Sequence, residues 1–353
     1  MRVLILGGAG FVGSSLAKLF ASCGVNIVVF DNLKRRGSEL NIADFKALNI
    51  RFVHGDIRIS QDLDDIEGDF DAVIDASAEP SVQAGLSGNP SYLVQTNLVG
   101  TINALEFVRK RACGLIFLST SRVYSISSLL DLPLQETASR LSIDLTSVLP
   151  KGVSEHGISE SFEVLKPRSL YGATKLASEL LIQEYVSQYA IPAVINRCGV
   201  IAGPRQWGKT DQGVFALWVI RHLLGGSLTY TGFGGTGKQV RDLLHPADLF
   251  DLIRLQLQAL ATCQGGIFNV GGGIEGSVSL QEYTALCQSL TGKRIDIGSV
   301  ATTHGVDIPY YVTDSRLCRS RWRWAPTRSV KTIVEDITAW VSDDRDRLAP
   351  FFL

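Results

Sequence analysis

The sequence has none of the patterns that place a chain in a membrane, on a nucleic acid or around a metal ion. No apolar run reaches 18 residues, so we expect no transmembrane helix. Lysine and arginine (34) balance aspartate and glutamate (35), which argues against nucleic acid and anionic membranes as partners. The five histidines show no metal-ligand spacing, so we expect no metal site.

The sequence also lacks the signs of an oxidising compartment. Its six cysteines are scattered without a C-x-x-C pair, at positions 23, 113, 198, 263, 287 and 318. The first apolar run is too short for a signal peptide, and no A-x-A cleavage site follows it. We therefore expect reduced, mostly buried thiols and a cytoplasmic location.

Short apolar runs alternate with helical patterns through the first half of the chain. With 353 residues, 45% of them hydrophobic, the chain can build a large core. We predict strands at 3–6, 26–30, 51–54, 72–75, 115–118 and 193–196, followed in the less regular second half by strands at 228–231, 239–244 and 266–270. We predict helices at 14–23, about 90–111, 171–190, 212–224, from 246, at 279–290 and finally at 329–341. The pattern predicts an α/β fold, a doubly wound parallel Rossmann sheet with a smaller C-terminal α/β lobe.

The same pattern divides the chain into two parts. We assign 1–197 to a nucleotide-binding Rossmann domain, to which 228–270 returns. The segments 198–227 and 271–353 form a lobe that we expect to bind the substrate. Residues 125–169 are too long for an ordinary connection and predict a lid or wall over a site, unless they form only a surface excursion.

A glycine-rich loop follows the first predicted strand. Gly7, Gly10 and Gly13 permit a tight turn, close approach of a pyrophosphate and close packing of the next helix. Asp31 ends the second strand, where a carboxylate hydrogen-bonds a ribose 2′-hydroxyl, which favours NAD over NADP. The basic run 34–36 would suit a 2′-phosphate, but Asp31 would repel that group. Asp56, after the third strand, either reaches the adenine or forms a turn.

A tyrosine and a lysine lie one helical turn apart, at Tyr171 and Lys175. Residues at i and i+4 share a helix face, and the charge of a lysine lowers the pKa of a nearby phenol. Thr120 ends the fifth strand, at the sheet edge where ligands bind. Its hydroxyl is placed to contact a substrate hydroxyl together with Tyr171.

Taken in order, these motifs resemble the extended short-chain dehydrogenase/reductase family of nucleotide-sugar-modifying enzymes. The resemblance covers nearly the whole chain and rests on Gly7-x-x-Gly10-x-x-Gly13, Asp31-Asn32-Leu33, Asp56, Ser119-Thr120-Ser121-x-Val123-Tyr124, Tyr171-Gly-x-x-Lys175, Gly203-Pro204-Arg205 and Arg241-Asp242. Within the family, Asp211-Gln212-Gly213 and the segments 237–245 and 268–272 are most similar to the CDP-paratose (CDP-tyvelose) 2-epimerases. The resemblance implies tightly held NAD and catalysis by Thr120, Tyr171 and Lys175.

The resemblance also implies two sets of binding residues. Cofactor contacts are expected from Gly7, Gly10, Phe11, Val12, Gly13, Asp31, Asn32, Asp56, Ile57, Ala76, Ser119, Tyr171, Lys175 and Arg197. Contacts to a nucleotide-sugar substrate are expected from Glu79, Ser121, Arg122, Arg205, Gln212, Lys238 and Arg241. Arg241 and Arg205 are candidates for the phosphates, since a guanidinium matches phosphate oxygens, although each alternatively forms a structural ion pair. Glu79 either contacts a sugar hydroxyl or is an exposed loop acid.

One local difference separates the reactions of the family. Relatives that eliminate water from the sugar carry Asp-Glu directly after the threonine, whereas this chain has Ser121 and Arg122. A decarboxylase would have Glu in place of Arg122. The resemblance therefore favours epimerisation by transient oxidation and re-reduction, at C2 of a CDP-sugar. The alternatives are a 4-epimerase, an NAD(P)-dependent reductase or, more remotely, a non-catalytic dinucleotide sensor.

Three positions depart from the pattern of the family. Asp75 stands where relatives often have histidine, and Val200 and Ala202 replace the usual Asn and Tyr. These changes leave cofactor binding intact and leave the sugar nucleotide open. The family also implies a homodimer through the helices at 90–111 and 171–190, although their apolar residues are explained as well by packing on the sheet.

Overall fold

The computed structural model of the protein describes residues 1–86, 88–208 and 212–352. Its strands are β1 (Arg2–Leu6), β2 (Asn26–Asp31), β3 (Arg51–His54), β4 (Ala72–Asp75), β5 (Gly114–Thr120), β6 (Leu134–Glu136), β7 (Leu141–Ile143), β8 (Val153–Ser154), β9 (Gly157–Ile158), β10 (Ala193–Cys198), β11 (Val200–Ile201), β12 (Leu228–Thr231), β13 (Val240–Leu244), β14 (Gln264–Val270), β15 (Ser277–Ser279), β16 (Ile297–Val300) and β17 (Tyr310–Tyr311). Its helices are α1 (Phe11–Ser22), α2 (Asn41–Ala47), α3 (Ser60–Asp64), α4 (Ser91–Val94), α5 (Gly100–Arg111), α6 (Ile126–Leu130), α7 (Leu170–Tyr189), α8 (Val214–Leu224), α9 (Pro246–Ala259), α10 (Leu280–Thr291), α11 (Arg316–Trp322), α12 (Val330–Asp343) and α13 (Arg345–Phe352).

Seven strands form one parallel sheet in the order β14-β10-β5-β4-β1-β2-β3. Six of them are the strands of the predicted alternation, and β14 contains the strand predicted at 266–270 in the less regular second half, so the predicted fold class is confirmed. Side chains of a strand point alternately to its two faces, and both faces of this sheet are covered. In β1, Val3 and Ile5 join the hydrophobic cluster that includes α1 and α9, whereas Leu4 and Leu6 join the cluster that includes α5.

The predicted long helix at 90–111 is present but is not uniform. A π-helical turn, Gln95–Val99, separates α4 from α5. Within it, the Asn97 amide donates to the Glu79 carbonyl at 3.1 Å and to Thr174 Oγ1 on α7 at 3.3 Å. The irregular turn thereby ties the loop after β4 to the helix that carries Tyr171.

The smaller lobe is built on separate sheets. Strands β11, β13, β15 and β17 form one, and β12 pairs with β16 in another. Helices α8, α10, α12 and α13 enclose their hydrophobic cluster. We expected 228–270 to return to the Rossmann domain. Strand β14 joins the large sheet and α9 packs on α1, whereas β12 and β13 belong to the lobe. Helix α11 also packs on β14, and α13 follows the helix that we expected to be the last.

The long insert, 125–169, forms α6 and two short hairpins, β6–β7 and β8–β9. Its apolar side chains share a hydrophobic cluster with Tyr124 and with residues 308–312 of the lobe. An ion pair at 2.8 Å between Arg140 and Glu282 attaches it to α10. The insert therefore packs against both the Rossmann domain and the smaller lobe.

Within the described residues, no helix has the length and apolar character needed to cross a membrane. The same part of the chain contains no cluster of three or more His, Cys, Asp or Glu side chains suited to a metal ion. All six cysteines are free thiols, and only Cys23 is exposed.

Candidate active site

A cavity of about 690 Å³ lies between the carboxyl ends of the central strands and the smaller lobe. Residues 118–122, Tyr171 and Lys175 line the Rossmann side, whereas α8, β12 and the loop 304–307 line the lobe side. None of residues 125–169 lines it, so the expectation that the insert is a lid or wall over the site is wrong. The apolar side chains of the insert are instead buried against Tyr124 and the 308–312 segment.

The glycine loop has no room for a side chain at Gly7 or Gly13. Gly7 has φ +67°, and a Cβ on it would lie 2.6 Å from the Cα of Ser77. A Cβ on Gly13 would lie 2.3 Å from the carbonyl oxygen of Gly7, so this glycine permits the close packing of α1. A Cβ on Gly10 would have one neighbour within 4 Å, the carbonyl oxygen of Gly7 at 3.3 Å. The N-terminus of α1 follows directly, which makes the loop a fitting cradle for the pyrophosphate of a dinucleotide.

Asp31 stands beside this loop. Its carboxylate accepts the backbone N–H of Ala9 at 3.0 Å and that of Leu33 at 2.8 Å. Burial raises the pKa of Asp31, while these two hydrogen bonds act in the opposite direction. An acid held at the end of β2 fits a ribose hydroxyl better than a phosphate.

The side chains beyond Asp31 form a polar cluster around Asp56. The Asp56 carboxylate accepts Arg58 at 2.6 Å and the amide of Asn32 at 3.0 Å. The Arg58 hydrogen bond is the main cause that lowers the pKa of Asp56 to about 2. Asp56 also accepts the backbone N–H of Arg58, so it does form a turn, and it lines a second cavity of about 620 Å³ together with Asn32. Ile57 is buried beneath Gly100, where a Cβ would lie 2.8 Å from its side chain.

The three expected catalytic side chains all line the main cavity. Thr120 is the last residue of β5, and Tyr171 and Lys175 are one turn apart on α7. Ser169 caps that helix by accepting the N–H of Gly172 at 3.1 Å, which fixes where the Tyr171 turn begins. The geometry therefore brings together residues that are about 50 positions apart in the sequence.

The electrostatics of Tyr171 differ from the expectation in one respect. Burial raises the pKa of Tyr171 to about 12, while a hydrogen bond with Thr120 and the charge of Arg122 lower it. Lys175 directs its ammonium group to the carbonyl oxygens of Leu118 at 2.9 Å and Ser77 at 3.4 Å. In the protein itself, the cation that lowers the pKa of the phenol is Arg122, whereas Lys175 is held by two backbone carbonyl groups.

Three of the predicted binding residues that do not line this cavity form ion pairs. Arg197 forms a buried ion pair with Glu179 at 2.7 Å. Arg205 pairs with Asp44, and Lys238 pairs with Glu136 at 2.7 Å. In each case the guanidinium or ammonium group already has a partner within the protein, and the contacts of Arg197 with the cofactor and of Arg205 and Lys238 with the substrate stay predictions.

The remaining predicted binding residues are brought together. Those that line the cavity are Phe11, Val12, Ala76, Ser119, Ser121, Arg122, Gln212 and Arg241. Glu79 lies beside it, where its charge raises the pKa of Tyr171, and one of its carboxylate oxygens accepts the Ser81 N–H at 3.2 Å. Asp211, used for the resemblance, lies outside the described residues.

Sequence reasoning missed the partner of Arg241. Arg241 donates to Asp307 at 3.0 Å and to the Ile308 carbonyl at 2.6 Å, and burial lowers its pKa to about 10. Arg122 donates to the carbonyl of Val306 at 3.3 Å. Two guanidinium groups thus lie near the Asp307 carboxylate, and their donors suit a phosphate. The 304–307 segment has no motif that would have placed it here.

The parallel sheet, the glycine loop and a cavity lined by Thr120, Tyr171 and Lys175 are those expected of a dinucleotide-dependent enzyme. A match to the NAD dependent epimerase/dehydratase family covers residues 3–271. The chain belongs to this family, and NAD is its cofactor.

Individual relatives are similar to this chain over almost its full length. The CDP-paratose 2-epimerase of Salmonella typhi is 30% identical over 97% of this chain and 99% of its own. The structure of a UDP-glucose 4-epimerase from Thermotoga maritima, solved with UDP-glucose, matches with a TM-score of 0.79 at 21% identity, covering 98% of this chain and 100% of its own. A dTDP-glucose 4,6-dehydratase from Streptomyces venezuelae matches with a TM-score of 0.77 at 26% identity, covering 99% of each chain.

Proposed function

We propose that the protein epimerises a nucleotide sugar at C2, with a CDP-sugar as its substrate. The observation that carries the choice of reaction is the pair Ser121 and Arg122, which line the cavity directly after Thr120. A serine hydroxyl and a guanidinium cannot serve as the acid and base that remove water from a sugar. The similarity to a CDP-paratose 2-epimerase supports the nucleotide and the carbon.

In this proposal Tyr171 takes the proton from the reacting hydroxyl. Thr120, hydrogen-bonded to Tyr171, orients that hydroxyl and stabilises the charge that develops on its oxygen. Lys175 is anchored by two carbonyl oxygens and holds the nicotinamide ribose. NAD, when bound, supplies first the acceptor and then the donor of the hydride.

Inversion requires the oxidised sugar to turn while the nucleotide stays in place. Arg241, held by Asp307 and by the Ile308 carbonyl, is the proposed diphosphate ligand, because its donors are fixed before the substrate arrives. The cavity extends from Tyr171 to Trp218 and Thr229 on the lobe side, which provides a separate region for the base. Gln212 and Glu79 are proposed contacts of the nucleotide-sugar at the margin of the cavity.

The test is a panel of CDP-, UDP-, GDP- and dTDP-sugars, incubated in D₂O and analysed by product NMR. We expect inversion at C2 of a CDP-sugar, no deuterium in the product and no net change in NADH absorbance. Inversion at C4 would replace the proposal with a 4-epimerase. Net consumption of NADH would indicate a reductase, and deuterium at C5 with loss of the 6-hydroxyl would indicate a dehydratase.

We also propose that the protein is a homodimer in the cytoplasm. Apolar side chains on the outer surfaces of α5 and α7 support the dimer: Leu180 is 58% exposed, Tyr189 54% and Ile102 36%. Large exposed apolar groups on two packed helices are suited to a helical interface with a second copy. The six free thiols support a reducing compartment.

A further inference from the structure

Asp75, the last residue of β4, is a buried carboxylate with no role in the mechanism above. It is 1% exposed. Its Oδ1 accepts the N–H of Ser77 at 3.0 Å and the Ser77 hydroxyl at 2.6 Å. Its Oδ2 is buried without a hydrogen-bond partner among the described residues. Burial raises the pKa of Asp75, and a nearby positive charge and the two Ser77 hydrogen bonds act in the opposite direction.

The nearby positive charge is Lys175. In the register of β4 and β5, Asp75 lies opposite Phe117, and the Lys175 ammonium stands 4.3 Å from the centre of the Phe117 ring. Ser77 links the two groups, because it donates to Asp75 and its carbonyl accepts from Lys175 at 3.4 Å. Lys175 is 2% exposed, so water screens this pair weakly.

Two other acidic groups face Lys175, and both are already accounted for. Glu179, one turn further along α7, is bonded to Arg197 at 2.7 Å and to the Ser119 hydroxyl at 2.5 Å. Burial raises the pKa of the Cys198 thiol to about 12, so that group is neutral at physiological pH. Among the described acidic groups around the ammonium, Asp75 is therefore the one for which Lys175 is the positively charged neighbour.

We propose that Asp75 is a positioning residue whose carboxylate is the counter-charge that keeps Lys175 protonated and directed into the active site. This inference rests on the role of Lys175 in the proposed function. Burial lowers the pKa of Lys175, and Asp75 is the main group that raises it again. Asp75 lies close to the glycine loop, because Gly7 packs directly on the backbone of Ser77, two residues after Asp75.

The test is an NMR titration of the Lys175 ε-carbon in NAD-bound protein labelled with [¹³Cε]lysine. The signal is assigned by its loss in Lys175→Gln. Asp75→Asn keeps the shape and removes the charge, so the Lys175 midpoint should move to lower pH by about one unit or more. Asp242→Asn is the matched control, because Asp242 is equally buried, also has an unpartnered oxygen and lies in β13 of the lobe. It should leave the midpoint in place.

An unchanged midpoint in Asp75→Asn, or an equal shift in Asp242→Asn, would overturn the proposal. If Asp75→Asn does not fold, Ser77→Ala weakens the same carboxylate by removing its 2.6 Å hydrogen bond. It should shift the midpoint in the same direction, and no shift in that variant would also refute the idea. The NMR result is independent of the substrate, so absence of epimerase activity in the wild type would reject the proposed function alone.

Discussion

Glu179 and Arg197 form an ion pair that is almost closed off from solvent, with side chains 1% and 6% exposed. Their closest oxygen and nitrogen are 2.7 Å apart, and Ser119 and the Tyr124 hydroxyl complete the network at 2.5 and 3.3 Å. Because Ser119 and Thr120 are adjacent on β5, this network supports the end of the strand at which the Thr120 hydroxyl lies. Arg197 is thereby held by groups of the protein itself, which gives the ion pair a structural role.

Glu179→Gln should lower the free energy of unfolding by about 3–5 kcal/mol, because it leaves the Arg197 charge buried without a counter-ion. Urea unfolding followed by circular dichroism measures this change. The matched control is Glu106→Gln, whose partner Arg109 lies on the surface at 2.7 Å. That variant should cost no more than about 1 kcal/mol, and equal losses in the two variants would contradict the structural role.

Tyr171→Phe should reduce turnover by a factor of about 10² to 10⁴, since it removes the group that exchanges a proton with the sugar. Bound NAD, measured by its absorbance after denaturation, should stay at the wild-type level. Tyr185→Phe on the same helix is the control, because its hydroxyl bonds Glu106 at 2.6 Å, away from the cavity. Near-normal turnover in Tyr171→Phe would show that another group is the base.

Arg122→Met should shift the pH dependence of kcat/KM. Loss of a positive charge raises the pKa of the Tyr171 phenol, which burial already places at about 12 in the protein alone. The base must be deprotonated to act, so the acid-side limb should move to higher pH, by about one unit. Arg122→Lys retains the charge and should restore the limb. A rise in KM without movement of the limb would assign Arg122 to substrate binding only.

Leu180→Arg should convert the proposed dimer into a monomer, because a charge at the centre of an apolar helical interface is left desolvated. Sedimentation velocity at micromolar concentration distinguishes the two states. Leu165→Arg is the control, since Leu165 is 90% exposed on the insert, outside α5 and α7. A wild-type protein that sediments as a monomer would remove the dimer from the proposal.

Much of the architecture was accessible from local pattern. The strands of the large sheet are short apolar runs buried on both faces, and such runs are readable without neighbours. The glycine loop, Asp31 and the Tyr171–Lys175 spacing were equally readable, because each depends on residues that are close in the sequence. The ion pairs of Arg197, Arg205 and Lys238 could not be predicted, because the partner of an arginine or lysine is decided by the fold. Glu136, for instance, is 102 positions from Lys238.

The sequence by itself determined the parallel sheet, the nucleotide loop and the residues of the hydride-transfer site, since periodicity and short-range spacing encode them. The tertiary structure decided which charges act on those residues. It placed Arg122 beside Tyr171, Asp307 beside Arg241 and Asp75 beneath Lys175. Electrostatic effects depend on distance and burial, and both exist only once strands from distant parts of the chain lie side by side.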